Sequence, residues 1–251
     1  MDQERSGQII NILKEEKTIG VDDLAYRLYV SKSTMRRDLS KLESKGLISR
    51  EFGNISIVDG GDRAETAFVL RRKENVEQKR ALAKAAIEYI GDGDVVFIDA
   101  STTALQIVEF LNERKNLTVL TNGIVLANEL SMKTQHDIVF AGGKLQPLSE
   151  SCLDRHAERI IRGYHANAFI MSASALDKDF GLSESSEEHS EIKKAMIEQS
   201  EKTIALIEKE KIGKCSLART CFLPELYALI TDTQLSDEYL AKAPNTIFKV
   251  V

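Results

Sequence analysis

Between positions 31 and 41 the chain places Ser31, Lys32, Ser33, Thr34, Arg36, Arg37 and Lys41, three short hydroxyls and four cations within eleven residues. Hydroxyls and ammonium groups reach phosphate oxygens, and a guanidinium fork also matches the acceptor edge of guanine, so this set suits a DNA groove. From 26 to 50 the basic residues are Arg27, Lys32, Arg36, Arg37, Lys41, Lys45 and Arg50, against Asp38 and Glu43 alone, on a chain whose formal net charge is −5. A positive island on an acidic protein gives a local phosphate footprint and disfavours indiscriminate nucleic-acid binding elsewhere. The competing readings are a solvated helix face and a winged helix that binds protein.

A second set of polar residues follows three apolar runs. Asp99-Ala100-Ser101-Thr102-Thr103 comes after 95–98, Thr121-Asn122-Gly123 after 117–120, and Gly142-Gly143-Lys144 after 137–141. Ligands of open parallel sheets bind beyond the carboxyl ends of strands, and hydroxyls at a helix start favour an anion such as phosphate. Singly, each loop has a plain alternative as a cap, a turn or a glycine loop. Together they converge on one sheet edge.

The elements that must hold these residues are legible from periodicity. A helix over 2–17 carries Ile9, Ile10, Ile12 and Leu13 as its stripe, and a short one over 21–28 carries Val21, Leu24, Ala25 and Leu28 at i, i+3, i+4, i+7. After the tight turn Tyr29-Val30-Ser31, Ser31 is placed to cap a third helix whose Met35, Leu39 and Leu42 turn inward. Segment 47–58 alternates around Gly53-Asn54, as a two-stranded wing would. Beyond it, apolar runs at 95–98, 117–120, 137–141, 168–173, 203–207 and 227–230 are interspersed with helical stretches that include 103–112 and 124–132. The alternation predicts an α/β fold, a mainly parallel sheet flanked by helices, behind an N-terminal winged helix-turn-helix. The polar break Asp59-Gly60-Gly61-Asp62 divides the chain into a DNA-binding domain at 1–58, a linker at 59–75 and a second domain at 76–251 that opens on a helix at 77–90, with Leu82, Ala85, Ala86, Tyr89 and Ile90 inward.

Composition narrows the function. The 251 residues, 43% of them hydrophobic, suffice for about two domains. No apolar run is long enough to span a bilayer, and the polar start Met-Asp-Gln-Glu-Arg argues against a signal peptide. Cys152, Cys215 and Cys221 form no Cys-x-x-Cys pair, which fits a reducing, cytoplasmic setting without metal or cofactor; Cys152 lies in a predicted site loop.

Arg5-x3-Ile9-x3-Leu13, a 17-residue gap, then Ser31-x2-Thr34-Met35-Arg36-Arg37-Asp38-Leu39 resembles the N-terminal signature of the DeoR family of bacterial transcriptional regulators, and Leu42-Glu43 and Gly46 continue it. The resemblance extends through Asp99 to Thr103, Thr121-Asn122, Gly142-Gly143 and the stretch from Phe180-Gly181-Leu182 to Glu191-Ile192-Lys193. It implies an effector domain similar in fold to ribose-phosphate isomerases that binds a phosphorylated sugar or related metabolite. Lys211, and with it Lys193, would then face the ligand. It also implies a homo-oligomer, dimer or larger, that represses by binding a double-stranded operator and has no membrane partner. Several positions depart from the pattern: Phe52-Gly53-Asn54-Ile55 for His-Gly-Gly-Ala, Ser101 and Asp154 for glycine, His189 for Glu, Glu208-Lys209-Glu210 for Asp-Ser-Ser, and a glycine-free Met171 to Ala175. The rival reading is a sugar-phosphate isomerase with Asp99 and Glu191 as acid and base. An enzyme has no need of Arg36 and Arg37 at the front of a helix, so no catalytic residues are assigned.

Overall fold

A computed structural model describes residues 3–44, 48–51, 53–57 and 68–251. The chain divides into two compact units, Met1–Leu70 and Arg71–Val251.

In the first unit, helix α1 (Gln3–Glu16) precedes strand β1 (Thr18–Gly20), helices α2 (Val21–Arg27) and α3 (Lys32–Ser44), and strands β2 (Ile48–Glu51) and β3 (Asn54–Ile57). Ile9, Ile10, Leu13, Leu24, Ala25, Met35, Leu39 and Leu42 are buried with Ile19, Ile48 and Ile55, so the three helical stripes and the wing share one core. Ile12, Val21 and Leu28, predicted to belong to those stripes, are half-buried. The wing has three strands in the order β1-β3-β2, all antiparallel; β1 was not foreseen, since three residues are too few to show alternation. Gly53, at φ 85°, makes the turn between β2 and β3, where a side chain would be strained. The predicted break at 59–62, Phe52, Lys45 and Gly46 lie outside the described residues. Within the expected linker, Phe68–Arg71 forms a short helix, α4.

The second unit opens with α5 (Val76–Ala86), followed by β4 (Val95–Ile98), β5 (Thr118–Thr121), α6 (Ile124–Lys133), β6 (Asp137–Phe140) and the paired β7 (Leu145–Gln146) and β8 (Ser151–Cys152). Then come α7 (Arg155–Arg162), β9 (Ala168–Met171), β10 (Ala175–Asp177), β11 (Gly181–Glu184), α8 (Glu187–Glu198), β12 (Thr203–Ile207), β13 (Ala218–Cys221), β14 (Ala228–Thr231), α9 (Asp237–Lys242) and β15 (Ile247–Val250). Seven strands form one sheet in the order β15-β14-β12-β9-β4-β5-β6, every pairing parallel. Its central strands β9 and β12 are buried along their whole length, as apolar runs covered on both faces require. The six predicted runs all lie in this sheet. The seventh strand, β15, and a small antiparallel sheet in the order β10-β11-β13 were not anticipated.

Two expectations need correction. The helix predicted at 103–112 is instead a pair of 3₁₀ segments, Ala104–Glu109 and Leu111–Glu113. The inward face of α5 is Lys79, Leu82, Ala83 and Ala86, continued by Ile87 and Ile90, while Ala85 and Tyr89 are only half-buried. A charged residue opens that stripe at i, i+3, i+4, i+7, which apolar periodicity cannot register.

Candidate nucleic-acid interface and ligand site

Helix α3 begins as its sequence implies. The Ser31 hydroxyl accepts from the Thr34 amide at 3.2 Å and lies 2.9 Å from both the Ser33 and Thr34 hydroxyls, so the three predicted hydroxyls form one capping cluster. Tyr29, at φ 52°, turns the chain into the cap. Behind the helix, buried Asp38 takes a 2.7 Å ion pair from Arg5 on α1, which gives two residues of the N-terminal signature a structural task.

The local cations separate into two classes. Lys32 pairs with Asp22 at 2.6 Å, Arg27 with Glu16, and Arg50 with Glu43 at 3.2 Å. Arg50 also donates to the Ser40 hydroxyl at 3.1 Å, tying wing to helix. Arg36 and Arg37 are exposed, and their guanidinium groups have no carboxylate or hydrogen-bond partner among the described residues. Lys41 is exposed on the same helix. Exposed ion pairs are weak, so Lys32 could exchange Asp22 for a phosphate at little cost, whereas Arg36 and Arg37 need exchange nothing.

In the second unit the loops after β4, β9 and β12 meet around a buried charge cluster. Lys193 on α8 lies 3.0 Å from Asp99, contacts Glu184, and donates to the Ser172 carbonyl at 2.7 Å. Burial by itself would lower the Lys193 ammonium's pKa, but Asp99 and Glu184 beside it raise it above the ordinary lysine value. Asp99 is in turn held by the amides of Ser101 at 2.9 Å and Ser172 at 3.1 Å. Lys211 reaches the Ser172 hydroxyl at 3.0 Å and Glu208 at 2.8 Å. The Thr103 hydroxyl donates to the same Glu208 oxygen at 2.8 Å. The other oxygen of Glu208 stands 3.7 Å from Lys79. Burial alone would push the Glu208 carboxyl up, but Lys211, Lys79 and Thr103 hold it below the usual carboxylate range. Lys79 is shifted the other way for a lysine, downward, because burial outweighs Glu208.

Of the expected ligand residues, Asp99, Thr103, Lys193 and Lys211 are therefore in or next to one network. Ser101 lends its hydroxyl to the Ala104 amide at 3.1 Å, and Thr102 is buried beside it. A Cβ on Gly123 would sit 2.9 Å from that of Ala100, so glycine is what lets the β4 and β5 loops abut. Asn122, fully buried, donates to the Cys152 carbonyl at 3.0 Å, while its Oδ1 has no hydrogen-bond partner among the described residues. The Thr121 hydroxyl accepts from the Gly123 amide at 3.1 Å. Gly142 and Gly143 are tied to another feature. A Cβ on Gly143 would fall 2.1 Å from an Asp154 oxygen, and that carboxylate caps α7 by accepting from Ala157 at 3.2 Å and takes the Lys144 amide at 3.0 Å. The aspartate that departs from the family's glycine thus fills the anion-favouring helix start itself.

Sequence reading assigned no role to Glu184 or Lys79, and noted Ser172 and Glu208 only among the departures from the family pattern. Ser172 fell inside the expected run 168–173, whereas β9 ends at Met171 and leaves Ser172 just beyond the strand's carboxyl end. The carboxylate pair required by the isomerase reading is not assembled: Glu191 is on the exposed side of α8, 2.8 Å from Lys194, while its neighbour Lys193 takes the buried side. Phe180, from the resemblance stretch, borders a different cavity of about 570 Å³, where the Arg219 guanidinium lies 5.3 Å from the Phe180 ring and 4.0 Å from that of Phe222.

Comparison with known proteins matches residues 5–60 to the DeoR-like helix-turn-helix domain and residues 74–233 to the DeoR C terminal sensor domain. The uncharacterized transcriptional regulator YulB of Bacillus subtilis is 35% identical over 232 residues, covering 92% of this chain and 89% of its own. The transcriptional repressor AccR of Agrobacterium fabrum is 32% identical over 233 residues, covering 92% and 90%. Among solved structures, ribose 5 phosphate isomerase A from Neisseria gonorrhoeae aligns with a TM-score of 0.40 at 15% identity, over 53% of this chain and 52% of that one.

Proposed function

Because the chain belongs to the DeoR family of transcriptional regulators, we propose that it is a ligand-responsive repressor of a carbohydrate catabolic operon, with a phosphorylated sugar or related metabolite as effector. It is a DNA-binding regulator and not an enzyme. The observation that carries the reading is the Ser31-capped helix presenting Arg36 and Arg37 without partners among the described residues. In this reading Arg36 and Arg37 divide base and phosphate contacts, Lys32, Ser33, Thr34 and Lys41 add contacts along the groove, and Ser31 sets the helix start. A homo-oligomer presents two such helices to the half-sites of an operator, with the chain around 59–75 joining reader and sensor.

For the effector, the Ser101 to Thr103 loop, Thr121, Asn122, Gly142, Gly143, Lys193 and Lys211 bound the ligand's region. The orphaned Asn122 Oδ1 supports a ligand hydroxyl there, since a buried acceptor left without a donor costs about 1–3 kcal/mol. Lys211 is the lysine a phosphate would reach, because its side chain keeps 24% of its exposure against 8% for Lys193 and 4% for Lys79. The effector then favours one of two arrangements of the reader helices.

The test selects bound sequences from random duplex DNA, then titrates the complex with ribose 5-phosphate, fructose 6-phosphate and glucose 6-phosphate. One recovered motif with symmetric half-sites, weakened by at least one sugar phosphate, is the expected result. Recovery of no motif would overturn the regulator's operator reading, and a motif indifferent to every phosphosugar would overturn the effector class.

A further inference from the structure

Lys79 is a buried lysine on α5 whose ammonium touches the chain where the second unit begins. It donates to the carbonyl of Arg71 at 2.5 Å and to that of Glu74 at 2.8 Å, closing the turn between α4 and α5. Arg71 is the first residue of the second unit, so this turn is the last piece of the sensor before the chain passes to the reader. The third direction of the ammonium faces Glu208, whose nearer oxygen is 3.7 Å away, too far for a hydrogen bond. Glu208 leans the other way, with its second oxygen shared between Lys211 and Thr103, both at 2.8 Å.

We infer that Glu208 and Lys79 form a relay in which an anion that takes Lys211 hands Glu208 to Lys79, drawing the ammonium off the Arg71 and Glu74 carbonyls and loosening the connector turn. The inference rests on the reading of Lys211 as the ligand-facing cation. The physical reason is charge balance in a buried place. Glu208 is 3% exposed and needs a cation, and with Lys211 engaged by a ligand phosphate, Lys79 is the cation left beside it among the described residues. Approach by about 1 Å would convert the 3.7 Å separation into a charge-assisted hydrogen bond, roughly 2.7–2.9 Å long. The ammonium has a proton for each of the three acceptors, so it is its displacement toward Glu208, and not a shortage of protons, that would lengthen the bonds to the two carbonyls. A glutamate at 208, rather than the family's shorter aspartate, supplies the methylene that lets one carboxylate span both lysines.

The relay can be tested without knowing the effector, by amide hydrogen exchange at residues 71–79 in the full chain. K211M, with K211Q alongside it, removes the ligand-side cation as a ligand would, and exchange at 74–79 is expected to accelerate about tenfold or more. E208Q has no charge to hand over, so its own rate sets the baseline, and adding K211M to it should produce no further acceleration. Unchanged exchange in K211M and K211Q, or acceleration that E208Q fails to suppress, would overturn the relay. Inorganic phosphate, ribose 5-phosphate and fructose 6-phosphate are then added to the parent protein. A probe that raises Tm is expected to accelerate exchange at 74–79, and one that raises Tm without doing so counts against the relay. If none raises Tm, the effector class fails, while the K211M and E208Q pair still decides the relay.

Discussion

In the reader unit, Arg36 and Arg37 stand exposed on α3 with no carboxylate partner among the described residues, whereas in the sensor unit Lys79, Lys193 and Lys211 each lie against a buried carboxylate. The two placements suit different work. An exposed guanidinium loses little hydration before binding and keeps its whole charge for a phosphate or a guanine edge. A buried lysine must be paired to exist at all, so its charge is spent internally and what it offers is position. Among the described residues, the three lysines Lys79, Lys193 and Lys211 face the three carboxylates Asp99, Glu184 and Glu208 in ion pairs. Under the relay proposed above, an anionic ligand at that site would exchange with an internal carboxylate.

Removing one member of the buried set should have the largest effect. K193M strands Asp99 and Glu184 together, and chemical denaturation of the sensor transition is expected to show a loss of about 3–5 kcal/mol; a loss below about 1 kcal/mol would erase the contrast between the units. In the reader, R36A and R37A should leave stability within about 0.5 kcal/mol of the parent. Each should weaken operator binding by about 1–3 kcal/mol, and the phosphate-contacting one should flatten the salt dependence by about one unit of slope. Gel shifts across a salt series distinguish which arginine reads a base. Loss of the cap in S31A should lower reader stability by about 1 kcal/mol, seen as reduced helicity on heating.

The smallest effect concerns pH. The Glu208 carboxyl is held below its unfolded value of 4.5, so its stabilising contribution is complete above that value and fades as pH falls through the folded pKa. Between neutral pH and about 3.5 the parent should lose more Tm than E208Q does, and parallel acid limbs would show that Glu208 is not held as the structure implies.

Legibility followed the same division. The α3 helix could be read from Ser31, the Met35-Leu39-Leu42 stripe and the outward arginines, because local spacing carries all three. The Asp99 and Thr103 loop was likewise readable as the residues following a buried run. Lys79 was not, since a lysine on a helix is ordinarily solvated and its carboxylate, Glu208, is far away in the chain. Asp154 showed as an irregular substitution, and only packing against Gly143 and α7 explained it.

By itself the sequence determined what local chemistry can determine: the helix caps, the inward stripes, the parallel runs, and the charge of the reader against the acidity of the rest. Tertiary structure decided which charges are free and which are consumed. That decision depends on burial and on partners brought from distant segments, as Arg5 is to Asp38 and Lys79 to Glu208, and no periodicity within a single element encodes it.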